Sequence, residues 1–87
     1  MYEVILLPKA SKVFASSEQA LAKKLARCFQ VLEETPRRHP NIKVLKGSLA
    51  GHYRYRLGDY RVVYSVDDNR KLVHVIRIVH RREAYES

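Results

Sequence analysis

The stretch "HYRYRLGDYRVVY", residues 52–64, spaces its arginines in a way that suits the binding of a phosphate group. Successive side chains of a β-strand alternate between its two faces. His52, Arg54 and Arg56 therefore share one face, and Tyr53, Tyr55 and Leu57 the other. If Gly58 and Asp59 make a two-residue turn, Arg56 falls directly opposite Arg61. Like charges opposed across two strands cost stability, and the cost has a purpose if an anion sits between them. A guanidinium is planar, permanently charged and forked to match phosphate oxygens. Arg77 and Arg81 join this face if the 67–71 connection has an odd number of residues, a register that sequence does not fix. The residue pattern alone also allows a plain solvated polar face.

Two further groups could take part. "VHRREAYE" places His80 and Tyr85 just past the last expected strand. A histidine can move protons near neutral pH, and a tyrosine can stack on a base. His39, His52 and His74 show that histidine also occurs here without an obvious task. No spacing suits a metal site, no glycine pattern suits a nucleotide loop, and no cofactor is expected. The single cysteine, Cys28, reads as a small buried hydrophobe on a helix.

The elements that must position these residues follow from periodicity. "YEVILL" (2–7) reads as a strand stopped by Pro8, and "KASKVFA" (9–15) as one or two helical turns. "SSEQALAKKLARCFQVLEE" opens with Ser16 and Gln19 in capping-box spacing. It continues with Leu21, Leu25, Cys28, Phe29 and Leu32 on one helical stripe and ends before Pro36. Residues 36–43 read as a loop and 44–51 as a short extended piece with a turn. Strands are expected at about 52–57, 60–66 and 71–79, followed by a short, half-ordered tail. The strand 71–79 is apolar on both faces and so belongs inside the sheet, which gives the order 52–57, 60–66, 71–79, 2–7. The expectation is one α+β domain over residues 1–87. It has two layers, β-α-α-β-β-β, with a small, mostly antiparallel sheet covered on one face by two N-terminal helices.

The 87 residues carry a net charge of +8, unevenly placed. Residues 1–35 hold five Lys/Arg against four Asp/Glu, and residues 36–87 hold twelve against five. A basic half of this kind points to a polyanionic partner, either nucleic acid or an acidic protein. One cysteine excludes an internal disulfide framework. The chain has no signal-peptide pattern and no apolar run long enough to span a membrane. A cytoplasmic protein without a membrane partner is expected.

The run "LKGSLAGHYRYRLGDYRVVYSVDDNRKLVHVIRIVHRREAY" resembles the RelE family, toxins of type II toxin–antitoxin pairs within the RelE/ParE superfamily. The likeness is close in the second half, whereas the first half agrees only in its order of one strand and two helices. It implies the RelE-like microbial RNase type of fold. It also implies an endoribonuclease that cuts mRNA codons in the ribosomal A site of the 30S subunit, and a cognate antitoxin that blocks the basic face. By this resemblance Arg61 holds the scissile phosphate, Arg81 stabilises the transition state or leaving group, and Tyr85 stacks on or orients the RNA. Arg54 and Arg56 match a basic pair that is lysine in some relatives, one of which is assigned as a general base. Arginine does not readily lose a proton, so His80 would take that role, or Arg56 would only stabilise charge. The catalytic set expected is Arg56, Arg61, His80, Arg81 and Tyr85, with Arg54 and Arg77 as RNA contacts and no metal.

Attack by the RNA's own 2′-hydroxyl suits such a set, because it needs preorganised cations more than a metal. Two alternatives stand beside it: a ParE-like inhibitor of DNA gyrase, and an inactive relative that only binds its antitoxin. The free toxin is expected to be monomeric, because its basic face repels itself, and the toxin–antitoxin complex to be a hetero-oligomer.

Overall fold

The computed structural model describes residues 1–84, with side chains described through Arg82. Strand β1 (Glu3–Leu6) leads into helix α1 (Pro8–Ala15), and helix α2 (Gln19–Glu34) follows. Pro8 stops the strand and opens the helix, since proline's missing N–H costs nothing in the first turn. The α2 stripe packs as its spacing requires, with Leu25, Cys28 and Leu32 buried and Leu21 and Phe29 against the same core. Burial pushes the Cys28 thiol up to about 12, so it stays protonated and behaves as an apolar group.

The expected capping box does not form. Gln19 begins α2 behind Glu18, with no side-chain cap. Ser16 and Ser17 instead close α1: Ser16 Oγ donates to the Lys12 carbonyl at 3.0 Å and Ser17 Oγ to the Val13 carbonyl at 2.7 Å. The last carbonyls of a helix lack intrahelical donors, and nearby hydroxyls satisfy them.

The remaining strands are β2 (Ile42–Val44), β3 (Tyr53–Leu57), β4 (Tyr60–Asp67) and β5 (Leu72–His80). The sheet has the order β1-β5-β4-β3-β2, with β1 parallel to β5 and every other pair antiparallel. The expected order holds, with one strand added. β2 falls at the junction of the expected loop and extended piece and extends the sheet at the β3 edge. The tail expected to be half-ordered begins as a single helical turn, α3 (Arg81–Ala84), packed against β4 and β5. Tyr55, Val62, Tyr64, Val73, Val75 and Ile78 from the sheet meet Ala10, Leu25, Cys28 and Leu32 from the helices. Helices α1 and α2 thus cover the tyrosine face, and neither lies on the opposite face. Among the described residues no helix is long and apolar enough to cross a membrane.

Candidate functional site

The turn that builds the site is Gly58–Asp59. Gly58 has φ 59, a conformation that costs glycine little, and Leu57 pairs with Tyr60 across it. This places Arg56 opposite Arg61, as the sequence requires. Arg54 stands opposite Val63, and Val63 opposite Arg77. Arg54, Arg56, Arg61 and Arg77 therefore share the uncovered face.

Arg77 reaches that face by a different route from the one expected. Asp67 pairs with Leu72, so the connection holds four residues, Asp68 to Lys71. An even connection alone would put Arg77 on the opposite face from Arg61. Between the Tyr64–Val75 and Val63–Arg77 pairs, however, Ile76 is an extra residue. This β-bulge shifts the register by one and turns Arg77 to the arginine side.

Arg61 differs from its neighbours. At 8% exposure it is the one buried charged residue among those described. Its Nη1 donates to the Tyr60 carbonyl at 3.2 Å and reaches the Gly58 carbonyl at 3.5 Å. Arg56 is exposed, and Arg77 half-buried. Arg54 is half-buried too and donates to the Asn41 carbonyl at 3.1 Å. Arg81 begins α3, where its N–H donates to the Asp59 carbonyl at 2.6 Å and its Nε lies 3.9 Å from the Asp59 carboxylate. That backbone bond ties the chain after β5 to the turn that carries Arg61.

His80 is placed elsewhere. It pairs with Tyr60, on the face shared by Val62 and Ile78, and meets the Tyr60 ring edge-on at 5.4 Å. Its Nδ1 faces the Arg82 N–H at 3.4 Å. Alternation along β5 beyond the bulge, with Arg77 and Val79 on the arginine side, sends His80 to the helix side. Tyr60 also lines a groove of about 480 Å3 on that side, between the α1–α2 corner and the Gly58–Asp59 turn. Tyr85 lies outside the described residues.

One cation was missed by sequence reasoning. Lys43 of β2 pairs with Arg54 and is exposed on the arginine face. Alternation within "NIKV", with Ile42 inward and Lys43 outward, was the available signal, but two prolines nearby made that stretch read as a loop.

Residues 6–85 match the family described as "ParE toxin of type II toxin-antitoxin system, parDE". Toxin RelE of Mycobacterium tuberculosis is 44% identical over 43 residues, 49% of this chain and 44% of that protein. Toxin RelG of the same organism is 40% identical over 43 residues, 49% of each chain. The chain thus matches about half the length of these curated relatives. Among solved structures, the archaeal RelE–RelB complex from Pyrococcus horikoshii superposes with a TM-score of 0.79 at 29% identity, covering 92% of this chain and 94% of that one. A RelBE toxin–antitoxin complex from Mycobacterium tuberculosis gives 0.78 at 25% identity, covering 91% and 96%.

Proposed function

Because the chain belongs to the ParE toxin family of type II toxin–antitoxin systems, within the RelE/ParE superfamily, we propose that it is a ribosome-dependent endonuclease that cuts mRNA in the A site. The observation that carries the reading is the convergence of Arg54, Arg56, Arg61 and Arg77 on one uncovered sheet face, with Arg56 and Arg61 directly opposed.

In the proposed reaction the 2′-oxygen of the substrate attacks the adjacent phosphorus. The 2′-O–P bond forms and the P–5′-O bond breaks, leaving a 2′,3′-cyclic phosphate and a 5′-hydroxyl. Negative charge grows on the phosphoryl oxygens and then on the departing oxygen. Arg61 and Arg56 neutralise the first, and Arg81, beside the same turn, the second. Cations fixed before the reaction need not reorganise as the charge develops, which makes such stabilisation the largest catalytic resource. The 2′-hydroxyl proton must leave, and the departing 5′-oxygen must gain one. His80 faces the helix side, so this assignment gives it no direct role; the 2′-hydroxyl proton passes to water or to a ribosomal group at the A site, and the departing 5′-oxygen takes its proton from water. Tyr85 is proposed to orient the nucleotide.

The partner proposed is a cognate antitoxin that covers the arginine face. Of the solved relatives above, one is a toxin–antitoxin complex and the other a RelE–RelB complex. A second reading, inhibition of DNA gyrase, is favoured by the ParE description of the family, but it assigns no task to the opposed arginines. Induced expression followed by mapping of mRNA 5′ ends separates the two. Codon-spaced cuts bearing 5′-hydroxyls support the nuclease. Altered DNA supercoiling with intact mRNA would overturn it in favour of the gyrase reading.

A further inference from the structure

The strand registers sort the uncovered face into rows that run across the sheet. One row, nearest the Gly58–Asp59 turn, holds Arg56, Arg61 and Val79. The next holds Lys43, Arg54, Val63 and Arg77. Beyond it comes a row with Ser65, His74 and Ile5, which holds no lysine, arginine or carboxylate. The last row carries Asp67, Leu72 and Glu3, two carboxylates on the same face. Cations thus fill one half of the face, and carboxylates close the other.

A polyanion running along the strands would leave the cations after about 7 Å, the spacing of two rows, and approach Asp67 and Glu3. Running across the strands it stays among cations throughout. From Lys43 to Arg77 there are three interstrand steps, roughly 14 Å at about 4.8 Å each. Only Val63 interrupts that row, a patch of apolar surface on which a sugar or base can rest. We propose, resting on the nuclease reading above, that the RNA strand crosses this face perpendicular to the β-strands and that Lys43 on the edge strand is its outermost phosphate contact. Lys43 then contributes to substrate binding and leaves the bond-breaking step to the Arg56–Arg61 row.

The test compares Lys43→Gln, Lys43→Arg and His74→Ala with the unaltered protein. Two readouts are used: fluorescence anisotropy on an end-labelled single-stranded RNA oligonucleotide at varied salt, and ribosome-dependent cleavage kinetics. Each phosphate contact to a single strand contributes about 0.7 to the slope of log affinity against log salt. Lys43→Gln is expected to flatten the slope by about 0.7 and to raise KM severalfold with kcat unchanged. Lys43→Arg should restore both, and His74→Ala should alter neither. An unchanged slope and KM in Lys43→Gln, or a KM increase in His74→Ala instead, would overturn the crossing direction. If the unaltered protein leaves ribosome-bound mRNA uncut, the nuclease reading fails, whereas the slope measurement still decides whether Lys43 contacts RNA.

Discussion

Arg37 and Arg61 each hold a guanidinium in hydrogen bonds, and the partners differ in kind. Arg37 sits in the loop after α2 and closes a fork on Asp68 at 2.8 and 3.0 Å, while its Nε donates to the Tyr53 hydroxyl at 2.9 Å. The Tyr2 hydroxyl donates to the same carboxylate at 2.6 Å. Among the described residues the acceptors for the Arg61 guanidinium are backbone carbonyls, and another arginine stands across from it. A carboxylate ends the electrostatic need of Arg37, which therefore serves to tie the loop, the N-terminus and the β4–β5 turn together. Carbonyl dipoles orient Arg61 without carrying a full negative charge, and under the proposed function that leaves its charge to the phosphate. The proposed division of labour between these two arginines thus follows from what accepts their hydrogen bonds.

The sharpest way to break this comparison is to remove Arg56. On the account given, Arg56→Ala lowers cleavage of ribosome-bound mRNA by about 10²-fold, the usual loss for one preorganised donor. Its melting temperature stays level or rises, because the like-charge opposition to Arg61 is gone. Equal losses of activity and stability would make Arg56 structural. Arg37→Ala should do the reverse. It lowers the melting temperature by a few degrees, in keeping with a network only partly shielded from water, and leaves the cleavage rate of the folded protein unchanged.

A smaller effect should appear in acid. The Arg37 guanidinium and then the Tyr2 hydroxyl hold the Asp68 carboxyl at about 2, below its ordinary 3.8. A depressed carboxylate stabilises the fold above its unfolded-state value, and that contribution is lost as pH falls from near 4 through about 2. Asp68→Asn should therefore show a flatter stability profile over that window than the unaltered protein. Melting at a series of pH values checks it, and identical profiles would remove the pair from the account. The smallest effect is expected at His80. His80→Ala should change the cleavage rate no more than His39→Ala does, because the imidazole faces Tyr60 and the helix layer. A selective loss in His80→Ala would return a proton-transfer role to it.

Much of the site was legible because strand alternation and a two-residue turn are local rules. "YRLGDYR" alone sets Arg56 against Arg61, and the double-sided apolar pattern of 71–79 places β5 inside the sheet. What stayed hidden depends on contacts distant in sequence. β2 has three residues, two of them exposed, and its pairing with β3 is what makes it a strand. The bulge at Ile76 shifts the register of Arg77, and nothing in "HVIRIV" announces it. The burial of Arg61 is likewise a product of the fold, where its guanidinium reaches the Gly58 and Tyr60 carbonyls. Ser16 shows the limit of a motif: its spacing fits a helix start, but carbonyls left open at the end of α1 win its hydroxyl.

Arg61→Ala, measured for melting and for cleavage of ribosome-bound mRNA on one preparation, tests the central claim most directly. The side chain is buried and bonded to two carbonyls, so some loss of melting temperature is expected alongside a cooperative transition. The account predicts a folded protein whose cleavage rate falls by about 10²–10³-fold, with Arg61→Lys keeping part of the activity through its charge. A folded Arg61→Ala protein that cuts mRNA at the unaltered rate would contradict the assignment of the arginine face as the active site.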